Sequence, residues 1–349
     1  MRVMVDGFEH RPGEHCASTA LSNILAFHDL PLSEAMVFGL AGGLGFFLIR
    51  DEALSPTRMF HGRTLTLETD LCAYAGLPAL GGAEADDERA WSSLKAQLDA
   101  GVPVMLSTDT FYLGYQNTKS HFPGHRAVAV GYDDSSGEVF IADRKLSEYQ
   151  SVSREELRRA RNADDYPVSC ENEYQYFATG SLALRRPLAQ GIRRALAGNA
   201  AWMLEPGETG MPGAEKGLAA MRRLADDFAT WGDLGDWSWA ARFGYQIIIK
   251  RGSGGLFFRS LYRDFLSEAA REVPALGEEG LLEGIDAIAR GWGDVAEVLK
   301  VQSERETCDP RLFDEAGSRV AELADREEKL FRQLAKLAGE DRLWGDGKD

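Results

Sequence analysis

The hydrophobic pattern changes character at about Arg186, and that change limits the fold more than any single motif. Before it, helical and strand-like stretches alternate. After it, Leu188 to Leu204, Gly217 to Trp231, Leu256 to Glu272, Leu281 to Arg305 and Phe313 to Leu337 carry apolar residues at helical spacing, with Gly- or Pro-containing turns between them. A chain of 349 residues is long enough for two domains that each bury a core. The expected division is a mixed domain over residues 1–185 and a mainly helical domain over residues 186–349. Ile247-Ile248-Ile249 is too short a run for periodicity to choose between a strand and a buried helix. The Gly345 to Asp349 end is expected to fray.

In the first half, Ala17, Ala20, Leu21, Ile24 and Leu25 recur at helical spacing, and Pro12-Gly13-Glu14 reads as the turn that feeds a helix start. Cys16 falls in its first turn. A second helix is predicted near Trp91 to Ala100, closed by Gly101, followed by a strand at Val102 to Ser107. Arg126 to Tyr132 and Glu138 to Ala142 flank the turn-rich Asp133-Asp134-Ser135-Ser136-Gly137, which predicts an antiparallel hairpin. Helix first and sheet after is an α+β order.

Composition narrows the function classes. The chain has 39 basic and 55 acidic side chains, a net charge of -16, which repels phosphate backbones and anionic membrane surfaces. Nucleic acid and membrane partners are not expected. Cys16, Cys72, Cys170 and Cys308 form no CxxC pair, so neither a zinc cage nor a disulfide framework is indicated, and no metal site is expected. The N-terminal residues lack the apolar run of a secretion signal, and no stretch approaches the roughly 20 apolar residues that span a bilayer. The expectation is a cytoplasmic protein with reduced thiols.

A thiol in the first turn of a helix meets the positive end of the helix dipole and amides without intrahelical partners, which favours the thiolate and places an oxyanion donor beside it. A cysteine in an amphipathic helix is also a common small core residue. A nucleophile needs a base and the base an orienting group. His125 directly precedes a predicted strand, and Asp143 closes the partner strand of the same hairpin, where adjacent chains run about 5 Å apart. His121 competes as the base, but it sits in the loop Lys119-Ser120-His121-Phe122-Pro123, where orientation is less fixed. His15 is expected to point away from its neighbour Cys16, on a helix or turn, and either to support the residues of the site from behind or to line its entrance. His10, His28 and His61 carry no functional signal.

At these residues the chain resembles the BtrH-like N-terminal domain proteins, named for an acyltransferase of butirosin biosynthesis and similar to papain-like cysteine peptidases. The matching stretches are His15 to Leu25, the glycine run Phe38 to Phe46, Asp109 to Tyr115, Gly124 to Asp133, and Ile141-Ala142-Asp143. Gly252 to Arg259 and Leu261 to Leu266 resemble the helical domain of unassigned function that commonly follows in this family. The resemblance implies a papain-like fold, a Cys-His-Asp arrangement at Cys16, His125 and Asp143, and acyl transfer from a carrier-protein thioester to an amine. It thus implies an acyl carrier protein as partner, with 4'-phosphopantetheine as part of the donor, and no tightly bound cofactor. Ala17 stands where the family usually has Gly, a mild departure that leaves the backbone N–H in place. Two rivals need the same fold: a peptidase or amide hydrolase, in which water replaces the amine, and a catalytically silent binding module.

The substrate-facing candidates are Asp109, Tyr112 and Tyr115 near a strand end, where a carboxylate could hold the amine, together with His15, Gly43 and Gly45. Asp109 as a turn cap among packed aromatics is the alternative. The glycine run lacks the preceding strand and the Lys-Ser/Thr pair of a nucleotide loop, and reads as tight packing or as a loop beside the substrate channel. The loop Gly252-Ser253-Gly254-Gly255 reads as a helix opening that would suit a pantetheine phosphate. The pairs Arg158-Arg159, Arg185-Arg186, Arg193-Arg194 and Arg222-Arg223 read either as a docking patch for an acidic carrier or as solvated helix faces. A homo-oligomer is left open.

Overall fold

The computed structural model describes residues 1–165, 168–252, 254 and 256–339, so Ser253, Gly255 and the expected frayed end lie outside the described residues. From the N-terminus come β1 (Arg2–Met4), α1 (Cys16–Phe27), α2 (Glu34–Leu40), β2 (Leu44–Arg50), β3 (Arg58–Arg63) and α3 (Leu67–Ala75). Next are β4 (Leu80–Gly82), α4 (Asp87–Asp99), β5 (Val104–Thr108), β6 (His125–Asp133), β7 (Glu138–Ala142) and β8 (Gln150–Ser153). Helix α5 (Arg154–Arg161) leads to the short strands β9 (Asp164–Asp165), β10 (Val168–Ser169) and β11 (Tyr174–Tyr176). The remainder is α6 (Leu188–Leu204), β12 (Ala214–Lys216), α7 (Gly217–Asp227), α8 (Trp237–Ile249), α9 (Arg259–Ala269), α10 (Glu279–Ser303) and α11 (Pro310–Ala338). The fold is mixed helix and sheet, in keeping with the α+β class.

The chain forms two compact units. Met1–Val37 and Leu77–Leu184 make the first; Phe38–Gly76 and the chain from Arg185 onward make the second. In place of one cut after residue 185, the division is discontinuous. The reason is strand pairing: β12 lies beyond that boundary yet pairs antiparallel with β2, which pairs with β3. The hairpin Leu44 to Arg63 is thereby tied to the helical part.

The first unit is built on a seven-stranded antiparallel sheet in the order β4-β11-β5-β6-β7-β8, with β1 added on β6. The apolar run Ala127 to Val130 is buried because α1 and α4 both pack against β6. Helix α4 starts earlier than the apolar spacing predicts, since Asp86 caps it by accepting from the Arg89 amide at 2.8 Å. The predicted hairpin forms over β6 and β7, with Asp133 opposite Glu138.

In the second unit the aromatic rings of Phe46, Phe60, Phe257 and Trp292 meet in the core. Ile247, Ile248 and Ile249 end helix α8. The helix predicted from Gly217 to Trp231 stops at Asp227 and tightens into a 3-10 turn, where Trp231 is fully buried and donates to Asp227 at 2.9 Å. The helix predicted from Leu256 starts only at Arg259, because Leu256, Phe257 and Phe258 take positive φ values of 40, 60 and 69°. That local cost is offset by complete burial of Phe257 and Phe258. Among the described residues no helix is long and apolar enough to cross a membrane.

Candidate active site

Helix α1 begins at Cys16 because His15 keeps an extended backbone (φ -119°, ψ 135°) while its carbonyl accepts from the Thr19 amide at 2.9 Å. The first amides of a helix stand outside its own ladder, so the Cys16 thiol lies in the first turn, at the positive end of the dipole, beside amides without an intrahelical partner. His125 opens β6 opposite Thr108, and the pairing of Val128 with Ala142 brings Asp143 back alongside the start of β6. Imidazole Nε2 is 2.9 and 3.0 Å from the two oxygens of Asp143. The thiol of Cys16 hydrogen-bonds His125. With Nε2 held by the carboxylate, Nδ1 is the ring nitrogen that faces the sulfur.

All three groups are buried, His125 at 5% and Asp143 at 1% exposure, so their charges interact strongly. Burial alone would raise the Cys16 thiol, but the imidazoles of His15 and His125 outweigh it and hold the thiol well below its usual range. Burial opposes a charged His125 too, yet the carboxylate of Asp143 and the contact with Cys16 push it up to about 10. Asp143 is held low against burial by His125, Tyr115 and Gln116. Those directions together favour a thiolate–imidazolium pair over the neutral thiol and imidazole.

A pH profile follows from those directions. The depressed thiol and carboxyl contribute stability above their unfolded values, and lose it as pH falls through the folded ones. The raised imidazole contributes fully below its ordinary 6.5 and loses that contribution as pH rises through about 10. Alkylation of Cys16 by iodoacetamide is thus expected to be flat across neutral pH, where an ordinary thiol is still climbing. Cys170, raised to about 11 by burial, is the internal contrast, and peptide-level mass spectrometry reads both. A Cys16 rate that climbs in parallel with Cys170 would remove the ion pair.

The other expected site residues divide. The Tyr115 hydroxyl donates to Asp143 Oδ2 at 2.7 Å, and burial with the charge of Asp143 pushes its ionisation up, so it stays a donor. Its hydroxyl is thereby engaged with Asp143, the carboxylate that also holds His125. Gln116 Nε2 donates to the same oxygen and was invisible in the sequence, which gave no signal beyond its place next to Tyr115. His15 does not point away as expected: the extended backbone at the N-cap folds its ring over the first turn, where it contacts both Ser18 and the Cys16 thiol.

Asp109 is fully buried and fully engaged, accepting from the amides of Phe111 at 3.0 Å and Phe122 at 2.8 Å and facing His121 Nδ1 at 2.6 Å. It caps its turn, and both of its oxygens already hold partners within the chain. His121 is held by Asp109 and by Asp165 at 2.9 Å. Among the described residues Asp109, His121 and Asp165 are the one set whose atoms lie close enough together to hold a metal ion, and their hydrogen bonds close the set on itself. Tyr112 meets His121 edge-on and lies under the Arg159 guanidinium at 4.5 Å. Gly43 and Gly45 belong to the second unit. A Cβ on Gly43 would lie 2.7 Å from Phe38, and one on Gly45 2.8 Å from the Arg63 carbonyl carbon, so the role these two glycines have is close packing. Of the paired arginines, Arg158 binds Asp87 and Glu155, Arg222 binds Asp325 and Glu328, and Arg223 faces Glu215, which makes these three parts of mixed-charge faces.

Residues 15–144 match the family described as butirosin biosynthesis protein H, N-terminal. Residues 155–334 match a domain of unknown function, DUF4872, which starts ahead of the boundary expected at 186. No curated protein matches the chain. The first match spans Cys16, His125 and Asp143 and the second spans most of the helical part, so the chain belongs to the family that carries a butirosin biosynthesis protein H N-terminal domain followed by this domain of unknown function.

Proposed function

We propose that this protein is a cysteine acyltransferase of specialised-metabolite biosynthesis, moving an acyl group from a carrier-protein thioester to a small-molecule amine. The observation that carries the reading is the buried thiol in contact with His125, whose other nitrogen is fixed by Asp143. A thiol at a helix start facing a histidine and an acid on antiparallel strands is also the papain-like layout that the resemblance implies.

Thiolate Sγ attacks the thioester carbonyl carbon, and the oxyanion is met by the Cys16 amide. The C–S bond to the pantetheine arm breaks, and the imidazolium of His125 gives its proton to the departing sulfur. The amine then attacks the Cys16 thioester, neutral His125 takes the proton from nitrogen, and collapse restores the thiolate and releases the amide. Asp143 holds the ring orientation throughout and stabilises the cation.

The test is intact-protein mass spectrometry with acyl-pantetheine thioesters as probes. A mass gain equal to the acyl group, mapped to Cys16 and discharged to an amide on adding an amine, is the expected result. Absence of any adduct, in folded protein whose Cys16 is alkylated rapidly, would defeat the acyl-enzyme. Discharge to free acid at a rate indifferent to amine would make the protein a hydrolase.

A further inference from the structure

The thiol of Cys16 touches two imidazoles, and only one belongs to the triad. His15 is 3% exposed, held at the N-cap of α1 with Nδ1 3.1 Å from the Ser18 hydroxyl and 3.4 Å from the Ser18 amide. The Ser18 hydroxyl lies 3.0 Å from Glu34 Oε1. That carboxylate is the hub of the junction: Oε1 also accepts from the His15 amide at 2.7 Å and the Thr19 hydroxyl at 3.1 Å, and Oε2 accepts from the Glu14 amide at 2.9 Å. Gly13 keeps the approach open, since a Cβ there would lie 2.3 Å from Thr19 Oγ1 and 2.5 Å from Glu34 Oε2. A chain of contacts thus runs Glu34, Ser18, His15, Cys16, beside the chain Asp143, His125, Cys16. Nδ1 of His15 is committed to Ser18, which leaves Nε2 for the sulfur.

We propose that His15 is a second catalytic residue of this site, its Nε2 hydrogen-bonded to the sulfur of Cys16, and that Glu34, acting through Ser18 and the His15 amide, is its positioning residue. The inference rests on the acyl-enzyme reading and deepens it. The proton on Nε2 stays there: His15 donates a hydrogen bond to the sulfur whenever it carries charge, at rest and again as the sulfur leaves the tetrahedral adduct with the amine. His125 alone moves protons. The charged and titratable groups facing this junction are Glu34 on α2, His125 at the start of β6, Asp143 and Arg144 after β7, His10 beside the Asp143 backbone, and Glu14, which pairs with Lys145. Each is left in place by the variants below except the one substituted.

The test compares wild type with His15→Asn, Glu34→Gln and His125→Ala by the pH dependence of Cys16 alkylation with iodoacetamide, read at peptide level with Cys72 and Cys308 as controls. Asparagine keeps a good N-cap oxygen for the Ser18 amide, so the helix start survives while the sulfur loses its partner. The midpoint of Cys16 alkylation is expected to rise by about one pH unit in His15→Asn and by less in Glu34→Gln, with kcat falling about tenfold or more in His15→Asn at little change in KM. A His15→Asn midpoint within about 0.2 units of wild type, with His125→Ala clearly shifted, overturns the second imidazole and leaves the triad standing. A wild-type midpoint no lower than that of Cys72 overturns the triad itself. Should His15→Asn lose its far-ultraviolet circular dichroism, His15→Gln and Ser18→Ala carry the same comparison.

Discussion

Cys16→Ala is expected to abolish acyl loading and to lower turnover by at least about 10³-fold, with the fold intact. The substitution removes one sulfur from a helix start that alanine also supports, so the chain still folds while the stability tied to the depressed thiol is lost. His125→Ala should cost nearly as much activity by a different route. It leaves the thiol buried with no base on the sheet side, and leaves Asp143 buried with the hydrogen bonds from Tyr115 and Gln116 but without the imidazole. Because the groups act as one unit, the double variant should be scarcely slower than either single one. Turnover and the intact mass of the three variants, measured with the same acyl thioester, check this. Substantial turnover in Cys16→Ala would mean that the acyl group passes directly from donor to acceptor.

The grouping of Cys16, His125 and Asp143 was legible because each sits where a local rule starts or ends an element. Cys16 follows a turn signal, His125 precedes an apolar strand, and Asp143 ends its hairpin partner; sheet register then does the rest. What surrounds them was not legible, because it depends on where side chains of irregular segments point. Tyr115 and Gln116 lie in short 3-10 turns with no periodicity, and nothing in their spacing says that both reach Asp143. The direction of the His15 ring was not legible either, because the extended backbone of a cap, and no periodicity, sets it. The second unit hid its discontinuity for a similar reason. Leu44 to Ile49 is a wholly buried apolar run, and hydrophobicity records that it is covered without naming the distant strand β12 that covers one edge.

Arg259 is the position at which one substitution should do most damage to the second unit. Its guanidinium is fully buried and meets Glu327, also fully buried, through contacts of 2.7, 2.8 and 3.0 Å. It also donates to the carbonyls of Phe257 at 2.7 Å, Gly62 at 3.0 Å and Gly45 at 3.3 Å, while Trp292 donates to Glu327 at 2.8 Å. One side chain therefore ties the β2–β3 hairpin, the positive-φ turn and α11 together. A buried ion pair adds little over an apolar pair of equal volume, because desolvation cancels most of the attraction. Removing one partner is another matter, since the remaining charge and the three carbonyls keep their desolvation cost and lose its compensation. Arg259→Met should lower stability by roughly 3–5 kcal/mol, and the double variant Arg259→Met with Glu327→Leu should recover much of that loss. Urea unfolding followed by circular dichroism measures both. If the single variant lost less than about 1 kcal/mol, or the double variant were worse than the single, the pair would not be what holds the hairpin to the helices.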